Sequence, residues 1–217
     1  MTYEGLRLKF RNKIYLPLTA NYRARKLKYT NFTIISNNCW GGTIYESYNL
    51  KKMSPTVGMF FMAEDYIKFL ENMRSYLESE LYFIEPEDSK YKQELSSDSR
   101  WGHYPIGKLN DIELFFLHYH SKEEAKEKWS RRCKRINWDK MLVKFNDQNG
   151  CTEDLIERFT RLPYKNKICF VISDKENRQK GIYKIRSPKK YGHVMASYEP
   201  LGANRTVNIN EIINELK

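Results

Sequence analysis

The sequence predicts an α/β protein, a three-layer sandwich with a mixed or mainly parallel sheet and helices on both faces. Three observations predict it. From Phe32 onward, short runs of β-branched and aromatic residues alternate with longer helix-like stretches, the order expected of βα units. Within 217 residues, 41% are hydrophobic and 14% aromatic, enough for one sizeable core and against wholesale disorder. No internal repeat or low-complexity tract interrupts the alternation. The expected organisation is a basic N-terminal arm over residues 1–30 followed by a single α/β domain over residues 31–217.

The arm contains eight basic residues (Arg7, Lys9, Arg11, Lys13, Arg23, Arg25, Lys26 and Lys28) against one acid, Glu4, in a chain of net charge +11. Such a concentration suits an anionic membrane surface, a polyphosphate or nucleic acid. The first strand is expected at 32–36, then a short helix at 43–50 and an extended segment at 55–61. Residues 64–81 place Tyr66, Ile67, Leu70, Met73, Tyr76 and Leu77 on one helical face, a stripe that reads as core packing.

The stretch 85–103 is polar and aperiodic, a surface excursion. A strongly apolar strand follows at 112–119. Ser121 and Glu124 then form a capping box at the start of a helix whose acids lie in the first turn and bases in the last. Further elements are a strand at 141–145, a Thr152-capped helix to Leu162 and a strand at 168–173. The basic segment 175–190 reads as a hairpin or loop. A short strand near Val194 and an Asn210-capped helix close the chain.

Several function classes are excluded or weakened. Lys or Arg interrupts every apolar run before the roughly 20 residues a spanning helix needs, and no secretory signal pattern opens the chain; a cytoplasmic location is expected. Cys39, Cys133, Cys151 and Cys169 form no C-x-x-C pair, so reduced thiols are expected rather than a zinc cage or disulfide framework. Neither G-x-G-x-x-G nor G-x-x-x-x-G-K-[ST] occurs, which argues against dinucleotide redox chemistry and P-loop hydrolysis.

In open α/β sheets, ligands bind beyond the carboxyl ends of the strands. The first strand delivers "SNNCWGG", Ser36 to Gly42. Its glycines allow close approach of backbone to ligand, and its amides can orient a hydroxyl or donate to an oxyanion. Cys39 at a helix start is a candidate nucleophile with a lowered pKa, and Trp40 a stacking platform. The strand at 112–119 delivers His118 and His120 on one face, with His118 favoured as general base. The next strand delivers Asn146 and Asp147, and the one after it Ser173 and Asp174. Arg131 and Arg132 head a basic cluster able to clamp phosphate. No metal set is expected.

Taken together, "FTIISNNCWGG", "SPTVGMFF" with "DYIKFLENMRSYL", "YPIGKL", "DIELFFLHY", "EEAKEKWSRRCKRINWD", "VKFNDQNGCTEDLIERF" and "LPYKNKICF" resemble a bacterial family usually labelled "exopolysaccharide biosynthesis protein" and otherwise a domain of unknown function. The resemblance runs from about Lys9 to the C-terminus. The positions matching its motifs are Ser36 to Gly42, Ser54, Pro55, His118, Trp129, Arg135, Asn137, Trp138, Asn146, Asp147, Gly150 and Cys151; His120 does not belong to them. The resemblance implies a role in capsule or exopolysaccharide production. The expected activity is a glycosyl or acyl transferase taking a nucleotide-sugar or acyl-thioester donor and a saccharide acceptor, with no cofactor assigned. The alternative is a non-enzymatic carbohydrate- or nucleic-acid-binding protein that uses its basic surface.

Overall fold

The β-branched and aromatic runs do become strands, and their pairing sorts them into two sheets. A computed structural model describes residues 3–172, 180–188, 191–204 and 206–217. In chain order the elements begin with α1 (Tyr3–Phe10), a π-helical turn (Arg11–Tyr15) and α2 (Leu16–Ala24). They continue with β1 (Thr33–Ser36), α3 (Trp40–Ser47), α4 (Ala63–Glu71), α5 (Met73–Glu78), β2 (Tyr82–Ile84) and the single-turn α6 (Lys92–Leu95). Next come β3 (Ile106–Leu109), β4 (Ile112–Phe115), α7 (Lys122–Cys133), β5 (Met141–Asn146), α8 (Glu153–Arg161), β6 (Lys167–Val171), β7 (Ile182–Lys184) and α9 (Ile209–Asn214).

The larger sheet has the order β1-β5-β6-β7 and is parallel throughout. Parallel strands need crossovers, which cover both faces and make the strands apolar on both sides. Side chains alternate accordingly. Ile35, Val143, Phe145, Cys169 and Val171 enter one core with Tyr66 and Phe69 of α4, Met73 of α5 and Phe159 of α8. Ile34, Leu142, Ile168 and Phe170 enter a second with Trp40, Ile44 and Tyr45 of α3 and Ile209 and Ile213 of α9. Each fully buried Phe, Ile or Leu contributes about 1.5–3 kcal/mol. The α/β class is therefore as expected, with helices on both faces of the parallel sheet.

The apolar strand at 112–119 belongs elsewhere. It ends at Phe115 as β4 and pairs antiparallel with β3, which pairs antiparallel with β2. Asn110, at φ 52, and Asp111 make the two-residue turn of a tight hairpin, where Asn is favoured for its tolerance of left-handed backbone. His118 and His120 consequently lie in turns beyond the small sheet and share no strand face.

Other boundaries shift for local reasons. The helix expected over 64–81 breaks at Asn72 (φ −134, ψ 40), a residue whose amide competes with helical backbone. The 55–61 stretch makes only an isolated bridge, Phe60 to Phe115. Asn208, not Asn210, caps α9 by accepting from the Glu211 amide; Asn210 instead accepts from the Tyr48 hydroxyl. Val194 lies in no strand but precedes a 3-10 turn at Ala196–Tyr198. The described part of the basic segment forms β7, parallel to β6; residues 173–179 lie outside the described residues. Ser121 and Thr152 cap α7 and α8 as expected, accepting from the amides of Glu124 and Leu155.

Candidate functional site

The carboxyl ends of β1 and β5, adjacent in the parallel sheet, carry Ser36-Asn37-Asn38 and Lys144-Phe145-Asn146. Lys144 points into the α3/α9 side of the sheet, where no water can solvate it, and there it meets Glu199; both side chains are 0% exposed. An ammonium has three protons to donate, and three acceptors surround this one. They are Asn38 Oδ1 at 2.9 Å, Asn37 Oδ1 at 3.3 Å and the Glu199 carboxylate. The rings of Phe170 and Trp40 face it at 5.6 and 5.9 Å.

The carboxylate is likewise satisfied. Glu199 Oε1 accepts from Asn146 Nδ2 at 2.8 Å and Asn38 Nδ2 at 3.2 Å. Asn37 Nδ2 donates to Asn146 Oδ1 at 2.8 Å. Half-buried Gln148 closes the outer side, its Oε1 accepting from Asn38 and Asn146, each at 3.1 Å. Burial pulls the Lys144 amine down and pushes the Glu199 carboxyl up, and each charge opposes the other's shift. Every donor on the amine is used, so Lys144 acts as a positioning group that fixes the asparagine amides.

Ser36, Asn37, Asn38 and Asn146 thus come together as a single network. Ser36 Oγ donates to Asn38 Oδ1 at 3.2 Å, and the same oxygen accepts from the Trp40 amide at 3.1 Å. Asp147, next in sequence, turns outward and fastens the adjoining chain, accepting from the amides of Ile172 and Val194 at 2.7 Å each. Trp40 is buried, donates Nε1–H to Pro200 O at 2.9 Å and packs edge-on to Phe170, so it offers no open ring face. The glycines serve packing: a Cβ on Gly41 would sit 3.2 Å from Ile34 Cγ2, and one on Gly42 would sit 3.0 Å from Val57 Cγ1. Gly41 lets α3 lie close to β1, and Gly42 lets it lie close to the 55–61 stretch.

Cys39 and His118, from separate segments, both contact the Val57–Met59 loop. Cys39 Sγ lies 3.9 Å from Met59 O, and the His118 amide donates to Gly58 O at 3.0 Å. Burial, then the Glu199 charge, pushes the Cys39 thiol up to about 12, the opposite of the lowering expected at a helix start. His118 reaches solvent; partial desolvation of its ring, with the Arg100 cation second, lowers its pKa. Arg100 also bears on Cys39 and on Tyr104. The Tyr104 hydroxyl is buried without a hydrogen-bond partner among the described residues, an orphan that a bound molecule could satisfy.

Arg131 does not join this region, and Arg132 touches it only as a buried support of the Val57–Met59 loop. Arg131 pairs with Glu127 one turn earlier, at 3.2 Å on the surface. Arg132 is buried against Val57 O (3.1 Å) and the Tyr119 hydroxyl (2.5 Å). Asp174 lies outside the described residues. No group of three His, Cys, Asp or Glu side chains able to hold a metal occurs among the described residues, and no helix there is long and apolar enough to cross a membrane.

Sequence reasoning missed Lys144, Glu199, Gln148, Arg100 and Tyr104. A signal existed for the first: a lysine inside an apolar run of a doubly covered strand has no route to water and must find a counter-charge. None marked Glu199.

Fold and site together define an α/β protein whose sheet carries an amide-rich, ion-paired cluster at its carboxyl edge. The chain belongs to the family described as "Domain of unknown function (DUF1919)", whose model matches residues 10–214. It is also similar to an uncharacterized protein of Haemophilus influenzae, 37% identical over 146 residues, which is 67% of this chain and 64% of the relative. The chain thus aligns with less than two thirds of that relative's length. Neither description names an activity, so the exopolysaccharide role is a matter of proposal.

Proposed function

We propose that the protein is a cytoplasmic glycosyl or acyl transferase acting in the assembly of bacterial surface polysaccharide. The observation that carries this reading is the set of asparagine amides held by Lys144 and Glu199 at the carboxyl ends of adjacent parallel strands, where α/β folds place ligands. Ser36, Asn37, Asn38 and Asn146 are buried and bonded to one another, so half-buried Gln148, which they hold, is the amide of the set that reaches the surface. An amide there is suited to the hydroxyls of a saccharide acceptor. Around the Val57–Met59 loop, His118 is the general base. Its lowered pKa keeps the free base present at neutral pH. The orphan Tyr104 hydroxyl is the group we assign to an anionic donor, such as the phosphates of a nucleotide sugar or coenzyme A. Arg100, whose guanidinium pairs with Asp98 at 2.7 Å, would have to exchange that carboxylate for the donor's phosphate. Cys39 is not the nucleophile in this scheme, since a thiol at about 12 is protonated at neutral pH.

The test is a thermal-shift screen of the purified chain against sugar nucleotides and acyl-coenzyme A compounds, followed by a transfer assay. A donor that binds raises the melting temperature by mass action, and His118→Ala then abolishes transfer while leaving the melt unchanged. Transfer that survives His118→Ala removes the histidine from the mechanism. A panel without any stabilising donor removes the transferase reading.

One observation favours a second reading, a non-enzymatic protein that binds nucleic acid. At the opposite end of the sheet an open cleft is lined by Lys28, Lys140, Lys165, Lys167 and Lys180 with Tyr29 and Tyr183. Basic groups beside aromatic rings suit a phosphate backbone and stacked bases. Two of the lysines are already engaged: Lys167 donates to Thr160 O and Leu162 O, and Lys140 lies over the Tyr29 ring at 4.1 Å. Steeply salt-dependent binding of a generic DNA fragment would favour this second reading.

A further inference from the structure

The N-terminal helices put an apolar ridge into water. Leu6, Phe10, Ile14, Leu18 and Tyr22 recur every fourth residue along α1, the π-helical turn and α2, and all are exposed, Leu18 to 79%. With Tyr15 they make six of the eight exposed large hydrophobic side chains among the described residues, so the apolar surface is concentrated rather than scattered. A spacing of four overshoots each α-helical turn by about 40°. The wider i→i+5 turn at Arg11–Tyr15 takes up part of that drift and keeps the ridge on one side.

The opposite face is committed to the domain. Leu16, Ala20 and Arg23 are buried. Arg23 donates to Ser47 O at 2.9 Å and Leu16 O at 3.0 Å, and Arg11 donates to Ser197 O at 2.7 Å. The ridge therefore cannot be hidden by rotating the helix against the domain. Beside it the exposed charges are all basic: Lys9 and Lys13, then Arg25, Lys26 and Lys28. Residues 5–30 contain no carboxylate.

We propose that this face is a docking surface for an anionic lipid leaflet, the helices lying in the plane of the membrane with the ridge among the acyl chains. An amphipathic helix with an apolar side, flanking Lys/Arg and interfacial Tyr is the sequence chemistry of that mode of binding. The 22 residues of the helical segment span about 33 Å, with tyrosines at Tyr15 and Tyr22. A second copy of the chain fits less well, because a two-fold contact on this ridge would set two acid-free basic faces against each other. Nucleic acid would match the charge and leave Phe10 and Leu18 in water. The surface does not depend on the transferase reading. Arg11 does fasten the helix to the Ala196–Tyr198 turn that leads into Glu199, so the candidate site and the lipid surface would be joined through one short segment.

The test is co-sedimentation of the full chain with phosphatidylcholine vesicles, with and without phosphatidylglycerol. Wild type pellets with the anionic vesicles, and salt weakens that binding. Phe10→Glu/Leu18→Glu lowers it at least about tenfold, and because both side chains are exposed its melting curve matches wild type. Lys9→Glu/Lys13→Glu weakens binding to phosphatidylglycerol vesicles more than to neutral ones. Wild type remaining in the supernatant with anionic vesicles overturns the proposal, as does a ridge variant that pellets like wild type. So does lipid-free wild type that sediments as a dimer and becomes monomeric in the ridge variant, since a second copy would then own the surface.

Discussion

Replacing Glu199 by Gln keeps the shape of the side chain and removes its charge. The amide can still accept a hydrogen bond, but the Lys144 ammonium is left in a fully buried cage with no counter-ion. An uncompensated buried charge of this kind costs about 3–5 kcal/mol. For a chain of this size each kcal/mol corresponds to roughly 2–4 °C, so the melting temperature should fall by roughly 6–20 °C. Lys144→Met added to Glu199→Gln removes the stranded cation and should recover much of the loss. Recovery stays incomplete, because Asn37 Oδ1 loses its donor and an unsatisfied buried acceptor costs about 1–3 kcal/mol. The pH dependence gives an independent check. Burial already lowers the Lys144 pKa from its ordinary 10.5, and Glu199 is what raises it back. In Glu199→Gln the folded amine releases its proton earlier, while the unfolded lysine holds its own up to about 10.5. The unfolded state then binds more protons, so the variant gains stability with rising pH, by up to about 1.4 kcal/mol per unit within that window. Urea or thermal melts followed by circular dichroism from pH 7 to pH 10 measure both effects. A Glu199→Gln protein that melts within about 2 °C of wild type at neutral pH, or a deficit that does not shrink toward pH 10, would refute the ion-pair argument.

Other consequences are simpler to read. The Cys39 thiol, held at about 12, should react with iodoacetamide at pH 8 more slowly than free cysteine, and Cys39→Ser should leave any transfer activity in place; rapid labelling or loss of turnover would show the thiolate to be real. Because the His118 pKa lies below its ordinary 6.5, a rate that needs its free base should stay level from pH 8 to near 6.5 and fall only below that, which a pH profile of kcat/KM measures. A Cβ at Gly107 would meet Phe116 Cε2 at 2.6 Å and Leu81 Cδ1 at 2.8 Å, so Gly107→Ala should cost about 1–3 kcal/mol in urea melts through overpacking.

What could be read in advance follows from how local each signal is. The caps at Ser121 and Thr152 and the stripe from Tyr66 to Tyr76 depend on residues three or four apart, and they stand where the sequence expects them. The β3–β4 hairpin went unrecognised because "IGKLNDIELF" hides an Asn-Asp turn between two apolar runs; its second run alone reads as an ordinary strand of the main sheet. That single misplacement set His118 at the end of a sheet strand instead of on a turn beside the Val57–Met59 loop. The asparagines at 37, 38 and 146 were visible because loop composition after a strand is itself a signal. Their partners were not, since Glu199 sits 55 residues from Lys144 in a segment with no periodicity to mark it.

Lys144 is the position where local pattern and global fold conflict. Its neighbours Leu142 and Phe170 line the α3/α9 core, and the alternation of β5 sends the lysine to the same side. An apolar residue there would pack without any compensation, and replacing a buried ion pair by hydrophobic groups is often neutral or stabilising. Stability alone therefore does not account for an ion pair that needs three asparagines and a glutamine to satisfy it. What the pair adds is fixed orientation: with the ammonium and carboxylate in place, the Asn37, Asn38 and Asn146 amides each have one arrangement that satisfies every partner. The network also fastens the start of α3 and the segment around Val194 and Glu199 to the sheet. But a rule broken at the carboxyl edge of a parallel sheet and repaired at this cost is the pattern expected of a site that must hold its groups still for a ligand.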